Sequence, residues 1–144
     1  MKIFIILLLS ISLYAKDSLY FFPQDAKKAK SEIERLINNS KKSIDIAMYN
    51  FGHKKIAKLL DKAQKRGVAV KIFYDKKNVD FKNIKAKKLS KKLHTKIAIF
   101  DKKTVVFGSP NWTKKSFKKN YEVLYITDDK KLLFEFNKFF KTLN

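Results

Sequence analysis

The 144-residue sequence contains no cysteine, which excludes disulfide bonds and thiolate metal sites. It has two histidines, His53 and His94, so any histidine chemistry has only two candidate residues. Acidic residues are also few: 13 Asp+Glu stand against 34 Lys+Arg, a formal net charge of +21. Two-metal hydrolytic chemistry needs converging carboxylates. Here Asp45, Asp75 and Asp80 are scattered, and Asp128-Asp129 reads as a helix start. No metal site and no cofactor is expected. A long apolar run is missing too, because the stretch beginning Ile3–Leu9 and continuing through Ile11, Leu13 and Tyr14 is short of the ~20 residues that span a bilayer.

What is present is a basic chain that still carries a core. Hydrophobic residues make up 45% and aromatics 14%, enough to fold one domain and too much for a disordered tail. The positive surplus attracts polyanions, either nucleic acid or an anionic membrane surface. A lysine-rich solvated surface is the plainer reading, and charge alone does not choose among DNA, RNA and lipid. Residues 1–15 stand apart: Lys2, the apolar run, then Ala15 before the polar Lys16-Asp17-Ser18. This pattern predicts a secretory signal cleaved after Ala15, ahead of a domain over residues 16–144. Leu13 is large for the position two before the cleavage point, so an uncleaved amino-terminal anchor is the alternative. Either form places the domain outside the cytoplasm, periplasmic or membrane-associated.

Strand and helix patterns alternate after that. Ser18 to Phe22 reads as a strand stopped by Pro23, and Asp25 to Asn38 as a helix with Ala26, Ala29, Ile33, Leu36 and Ile37 at helical spacing. Ser43 to Tyr49 is strand-like, His53 to Arg66 is helical up to Gly67, and Val68 to Tyr74 is a third strand. The pattern predicts an α/β layered domain with no internal repeat. Residues 76–92 hold eight lysines and little apolar periodicity, predicting a basic loop or short irregular helix. Lys96 to Phe100 and Thr104 to Phe107 are strands joined by Asp101-Lys102-Lys103. Tyr121 to Thr127 is a further strand, and Asp128 to Leu143 a closing helix.

The chemistry concentrates in HTKIAIFDKKTVVFGSPNWT, residues 94–113. Strand alternation lets His94 and Lys96 project together while Ile97 and Ile99 face the other layer. A hairpin would return Gly108-Ser109-Pro110-Asn111 to the start of the first strand. An imidazole, an ammonium, a hydroxyl and a carboxamide at one rim suit a phosphate ester.

The spacing His-x-Lys-x4-Asp-x6-Gly-Ser, with Asn111 following, resembles the signature of the phospholipase D superfamily. A single copy in a small chain is similar to that superfamily's bacterial nuclease branch. The resemblance implies a phospholipase D-like layered fold, a mixed β-sheet flanked by helices on both faces. It implies that His94 is the nucleophile, forming a covalent phosphohistidine, and that Lys96 and Asn111 bind phosphate oxygens. Ser109 would hydrogen-bond within the site, Glu122 would be the downstream carboxylate that orients the imidazole, and Asp101 would help to hold the motif together. One imidazole cannot serve both sides of an in-line displacement, so a two-fold homodimer bringing two His94 side chains together is expected.

The function so implied is an exported, metal-independent endonuclease on DNA, single strands favoured, with RNA also open. The alternatives are a phospholipase D cleaving phospholipid head groups and a non-catalytic DNA-binding module. Lys87, Lys88, Lys91 and Lys92 would form an electrostatic track into His94. Tyr49, Phe51, Phe81, Trp112 and Phe117 are candidate platforms for unpaired bases, Trp112 foremost; plain packing is the other reading. His53, in His53-Lys54-Lys55, imitates the motif but sits in a helical pattern, and reads as a surface or helix-start residue or a contact at the groove edge.

Overall fold

The computed structural model describes residues 16–143; the expected signal at residues 1–15 lies outside the described residues. The elements run β1 (Ser18–Phe22), α1 (Ala26–Asn39), β2 (Ser43–Phe51), α2 (Lys54–Lys65), β3 (Ala69–Lys77), β4 (Lys87–Lys88), β5 (Lys96–Phe100), β6 (Thr104–Gly108), α3 (Lys114–Lys119), β7 (Glu122–Thr127) and α4 (Lys130–Lys141). Seven strands form one mixed sheet in the order β1-β7-β6-β5-β2-β3-β4. β2, β3 and β4 are parallel, linked by the α2 crossover and the basic segment. β5, β6 and β7 form an antiparallel meander, with β5 against β2 and β1 against β7.

Alternation along the strands builds two cores. Ile44, Ile46 and Met48 of β2 join Ala98 and Phe100 of β5 beneath Ile33, Leu36 and Ile37 of α1 and Ile56 and Leu60 of α2. On the opposite face, Ala47, Phe73, Ile97, Ile99 and Val105 pack against Leu133 and Phe140 of α4. The fold is therefore the expected mixed sheet with helices on both faces. The apolar positions of α1 and α2 recur three and four residues apart, and that stripe is the one buried.

Three local features depart from the sequence reading. β2 and β3 extend to Phe51 and Lys77, so both reach past the sheet's edge of apolar composition. The basic segment contains the two-residue β4, paired with Phe73 and Tyr74. The polar stretch after Asn111 contains α3, capped by Thr113, whose only buried positions are Ser116 and Phe117; one apolar side chain gives no period to read.

The turn between β5 and β6 is left-handed at both central residues, with φ of 51° at Asp101 and 57° at Lys102. Lys103 N–H donates to the Phe100 carbonyl at 2.9 Å. This is the hairpin turn whose twist matches that of its strands, and it fixes the register Ile97↔Phe107. That register returns Gly108 and its successors to the start of β5.

Candidate active site

The site lies at the sheet end formed by the carboxyl ends of β2, β3 and β6 and the amino ends of β5 and β7. His94 precedes β5 by one residue beyond Thr95, which is paired to Tyr49 through the Tyr49 amide and Thr95 carbonyl at 2.8 Å. The imidazole is exposed and stands edge-on to the Tyr49 ring, centroids 4.7 Å apart. Because His94 lies outside the regular strand, its nearness to Lys96 comes from the rim rather than from pleat alternation alone. Lys96 Nζ is 3.3 Å from His94 Nε2, 3.5 Å from Nδ1 and 3.0 Å from the His94 carbonyl. An ammonium has only donors, so a ring nitrogen meeting it offers a lone pair. Partial burial drives the Lys96 pKa below the usual lysine range, against Glu122 and Tyr49, and Lys92 pushes it the same way as burial.

Asn111 is held by its carbonyl oxygen, which accepts from the Asn50 amide at 3.1 Å. That contact fixes which way the carboxamide points and leaves its NH2 as the free donor. Gly108 makes the approach feasible: a Cβ there would lie 2.2 Å from the Val123 carbonyl oxygen. Ser109 is fully engaged, its amide donating to the Val123 carbonyl, its hydroxyl donating to Glu122 and accepting from the Val123 amide. Asn120 Nδ2 takes the other Glu122 oxygen at 2.9 Å.

Among the described residues, then, no carboxylate touches the imidazole. Glu122, expected to orient His94, instead clamps Ser109 and Asn120 and acts on Lys96 through space. Asp101, expected to help hold the motif together, is a structural residue and takes no part in the rim that carries His94. It lies at the other end of β5, seven residues from His94 and so roughly 20 Å away at ~3.3 Å per residue. Its carboxylate accepts from the amides of Lys41, Lys42 and Ser43. Desolvation opposes ionisation there, but those three amides outweigh it and hold the pKa below the ordinary carboxylate value.

Three ammonium groups crowd the Tyr49 ring: Lys96 at 5.3 Å, Lys76 at 5.5 Å and Lys92 at 6.0 Å. Tyr49 therefore serves as the floor of a cationic cluster. Lys92 is brought to the site because the basic segment is pinned where it ends, Leu93 N–H donating to Asp75 at 3.1 Å. Lys91 is exposed next to it. Lys87 and Lys88 sit instead on β4 at the sheet's edge, with Lys87 over the Phe73 ring on the α4 side. Lys76 was not singled out by sequence, since β3 was expected to end at Tyr74.

The remaining aromatic candidates are structural. Trp112 is 1% exposed, edge-on to the fully buried Phe51 at 5.7 Å, and its carbonyl bonds the Gly52 amide. It has no face to offer a base. Phe117 is buried, and Phe81 packs on Phe51. His53 starts a helix as expected but is buried rather than a surface residue, 7% exposed and capping α2 through Nδ1 to the Ile56 amide. No group of three His, Asp or Glu side chains able to hold a metal ion occurs among the described residues.

Residues 33–144 match the family described as cardiolipin synthase, PLD-like domain. The chain is 32% identical over 112 residues to a phospholipase D of Rickettsia prowazekii, covering 69% of this chain and 55% of that protein; it spans about half the length of the curated relatives it matches. Among solved structures it resembles NucT from Helicobacter pylori, with a TM-score of 0.82 and 30% identity over 90% of this chain and 96% of that one. Nuc from Salmonella typhimurium, a phospholipase D family member, superimposes with a TM-score of 0.75 at 26% identity, covering 90% and 94%.

Proposed function

The chain belongs to the phospholipase D superfamily, and from that premise we propose that it is an exported, metal-independent nuclease that cleaves DNA, single strands in preference, through His94. The observation that carries this reading is the exposed His94 imidazole beside Lys96, with the Asn111 NH2 free at the same rim. The nucleophile attacks phosphorus in line, forming a P–N bond as the P–O bond to the leaving alkoxide breaks. Lys96 and the Asn111 amide neutralise the charge growing on the non-bridging oxygens. A second His94, protonated, gives its proton to the leaving oxygen. Water then attacks phosphorus, the P–N bond breaks and the imidazole is freed.

The second imidazole comes from a second copy of the chain. An apolar patch beside the rim supports this: Leu19, Phe21, Tyr121 and Val123 are exposed at 52%, 56%, 88% and 40%. Phe21 faces Val123 across the β1–β7 pair, and Tyr121 and Val123 flank Glu122. An isologous contact there would bring the two rims together. Nucleic acid is favoured over lipid by the structural likeness to NucT and Nuc, and the cationic cluster on Tyr49 suits a phosphate backbone.

A phospholipid diester is the second reading, favoured by the names of those relatives. Purified chain in excess EDTA is assayed on single-stranded DNA, duplex DNA, RNA and a labelled phospholipid, beside His94→Ala. Chelator-resistant nucleic-acid cleavage lost in the variant supports the nuclease; turnover of phospholipid alone selects the lipase. Specific activity should fall on dilution below the dimer constant, and a fully active monomer refutes the shared site.

A further inference from the structure

We propose that the pocket bounded by α1, the start of α2 and α3 is a second phosphate subsite, which holds a backbone phosphate of the strand engaged at His94 and uses His53 Nε2 as its donor. The inference rests on the nuclease reading and deepens it.

The pocket has a volume of about 190 Å³ and is lined by Lys27, Lys30, Lys114 and Lys118 around His53. Four lysines around one imidazole leave no doubt about the sign of the ligand they favour. His53 is the informative residue, because it is more than nine-tenths buried yet forms part of the pocket wall. Its Nδ1 accepts from the Ile56 amide at 3.5 Å, so Nδ1 carries no hydrogen and the neutral ring bears its proton on Nε2. Among the described residues Nε2 makes no hydrogen bond and is not one of the sealed, unpaired atoms, so it keeps access to solvent through the pocket. Burial, then Lys30 and more weakly Lys114, push the His53 pKa below the ordinary histidine value against the pull of Glu34 and of its own backbone. Glu34 is itself engaged by Lys55 at 2.7 Å. The result is a neutral N–H donor at the base of a ring of cations.

A helix cap alone does not call for this residue. Asn, Asp or Ser caps a helix with less bulk; the imidazole adds edge-on packing against Phe117, centroids 5.7 Å apart, and a donor on its far side. The pocket is also tied to the catalytic rim from two directions. His53 follows Asn50 by three positions, and Lys114 follows Asn111 by three. Each tether spans at most about 11 Å, so the pocket lies a short step along a strand whose scissile phosphate sits between Lys96 and Asn111.

The test uses the full chain with His94→Ala, which prevents cleavage and leaves His53 as the sole histidine, so its imidazole NMR signals are unambiguous. Fluorescent oligothymidylate is titrated into this protein, into the same protein with Lys30→Gln and Lys114→Gln, and into a charge-matched control with Lys130→Gln and Lys131→Gln on α4. The proposal expects the pocket pair to weaken binding several-fold more than the control. It expects the salt dependence to flatten by about one unit of slope per lost contact, and the oligonucleotide to shift the His53 Nε2 signal. Equal losses in the two pairs with an unmoved His53 signal overturn it. Vesicles containing anionic phospholipid that shift His53 where the oligonucleotide does not overturn the backbone assignment in favour of a lipid head group. An oligonucleotide that binds and is cleaved by the His94 protein without touching His53 removes the subsite and leaves the nuclease reading standing. An oligonucleotide that does not bind at all removes both.

Discussion

The backbone amide of Asn50 donates to the Asn111 side-chain carbonyl at 3.1 Å and so leaves the Asn111 NH2 free at the rim that carries His94 and Lys96. The contact separates two things that a carboxamide does. Asn111→Asp keeps the oxygen that holds Asn50 while replacing the donor with a second, negative oxygen. The fold should survive and turnover should fall by about 10²–10³, the usual cost of losing one oxyanion donor. Kinetics with circular dichroism on the same sample check both halves; a variant that keeps wild-type turnover removes Asn111 from the phosphate site.

Asp101 should behave as a stability residue. Asp101→Asn leaves one oxygen to serve three amides and is expected to cost about 1–3 kcal/mol, with turnover of the folded protein unchanged. The sign with pH follows from its lowered pKa. The carboxylate's contribution is complete above the unfolded value of about 3.9 and is lost as pH falls through the lower folded value. Urea unfolding at neutral pH should separate variant from wild type, and the gap should narrow in acid. A gap that is constant with pH would contradict the role.

Lys96 should set the alkaline limb of activity. Its charged form is lost at a pH below the ordinary lysine value near 10.4, because burial penalises the cation. The kcat/KM profile should therefore turn down before that pH, and Lys96→Arg, which stays charged, should carry the limb to higher pH whatever it does to the maximum rate. An unmoved limb would assign the titration to another group.

Trp112→Ala should unfold the protein rather than blunt its grip on single strands. Removing a fully buried indole costs about 3–5 kcal/mol, and here it also leaves Phe51 without its neighbour. Thermal unfolding measures this directly. A stable Trp112→Ala protein with a selective loss of single-strand binding would restore the stacking role that burial denies it.

The basic segment should be uneven in its effect. Lys91→Glu with Lys92→Glu changes charge beside Tyr49 and His94, and should weaken DNA binding while flattening its salt slope by about one unit per contact. Lys87→Glu with Lys88→Glu alters the edge strand β4 and should do markedly less. Equal effects would mean that net charge, not position, governs binding.

The layers of this fold were legible because their signals are periodic. Ile33, Leu36 and Ile37 of α1, and Ile56 and Leu60 of α2, recur at helical spacing and are buried as read. Ile97 and Ile99 alternate as a strand requires. α3 was not legible, since Phe117 alone cannot declare a helix face. At the site, His94, Lys96, Ser109 and Asn111 were found by spacing and resemblance, and the hairpin does bring them to one end of the sheet. Tyr49 and Lys76 come from β2 and β3, and their place depends on sheet register, which spacing within one segment cannot supply. The errors have the same origin. Trp112 adjoins Asn111 in sequence, yet it is bridged to Phe51, its carbonyl accepts from the Gly52 amide, and its indole is buried. Glu122 follows Asn120 by two residues and is captured by it and by Ser109 before it can reach the imidazole.

The β5–β6–β7 meander joins near neighbours in the chain, so its contacts close short loops and cost little entropy to form. The Asn50–Asn111 bond spans 61 residues and forms only after β2 has docked beside β5. A chain still folding therefore carries the whole signature from His94 to Asn111 while its carboxamide remains unaimed. The Asn50–Asn111 contact closes a longer loop than any pairing within the meander, so a correctly aimed Asn111 carboxamide reports that β2 has docked beside β5.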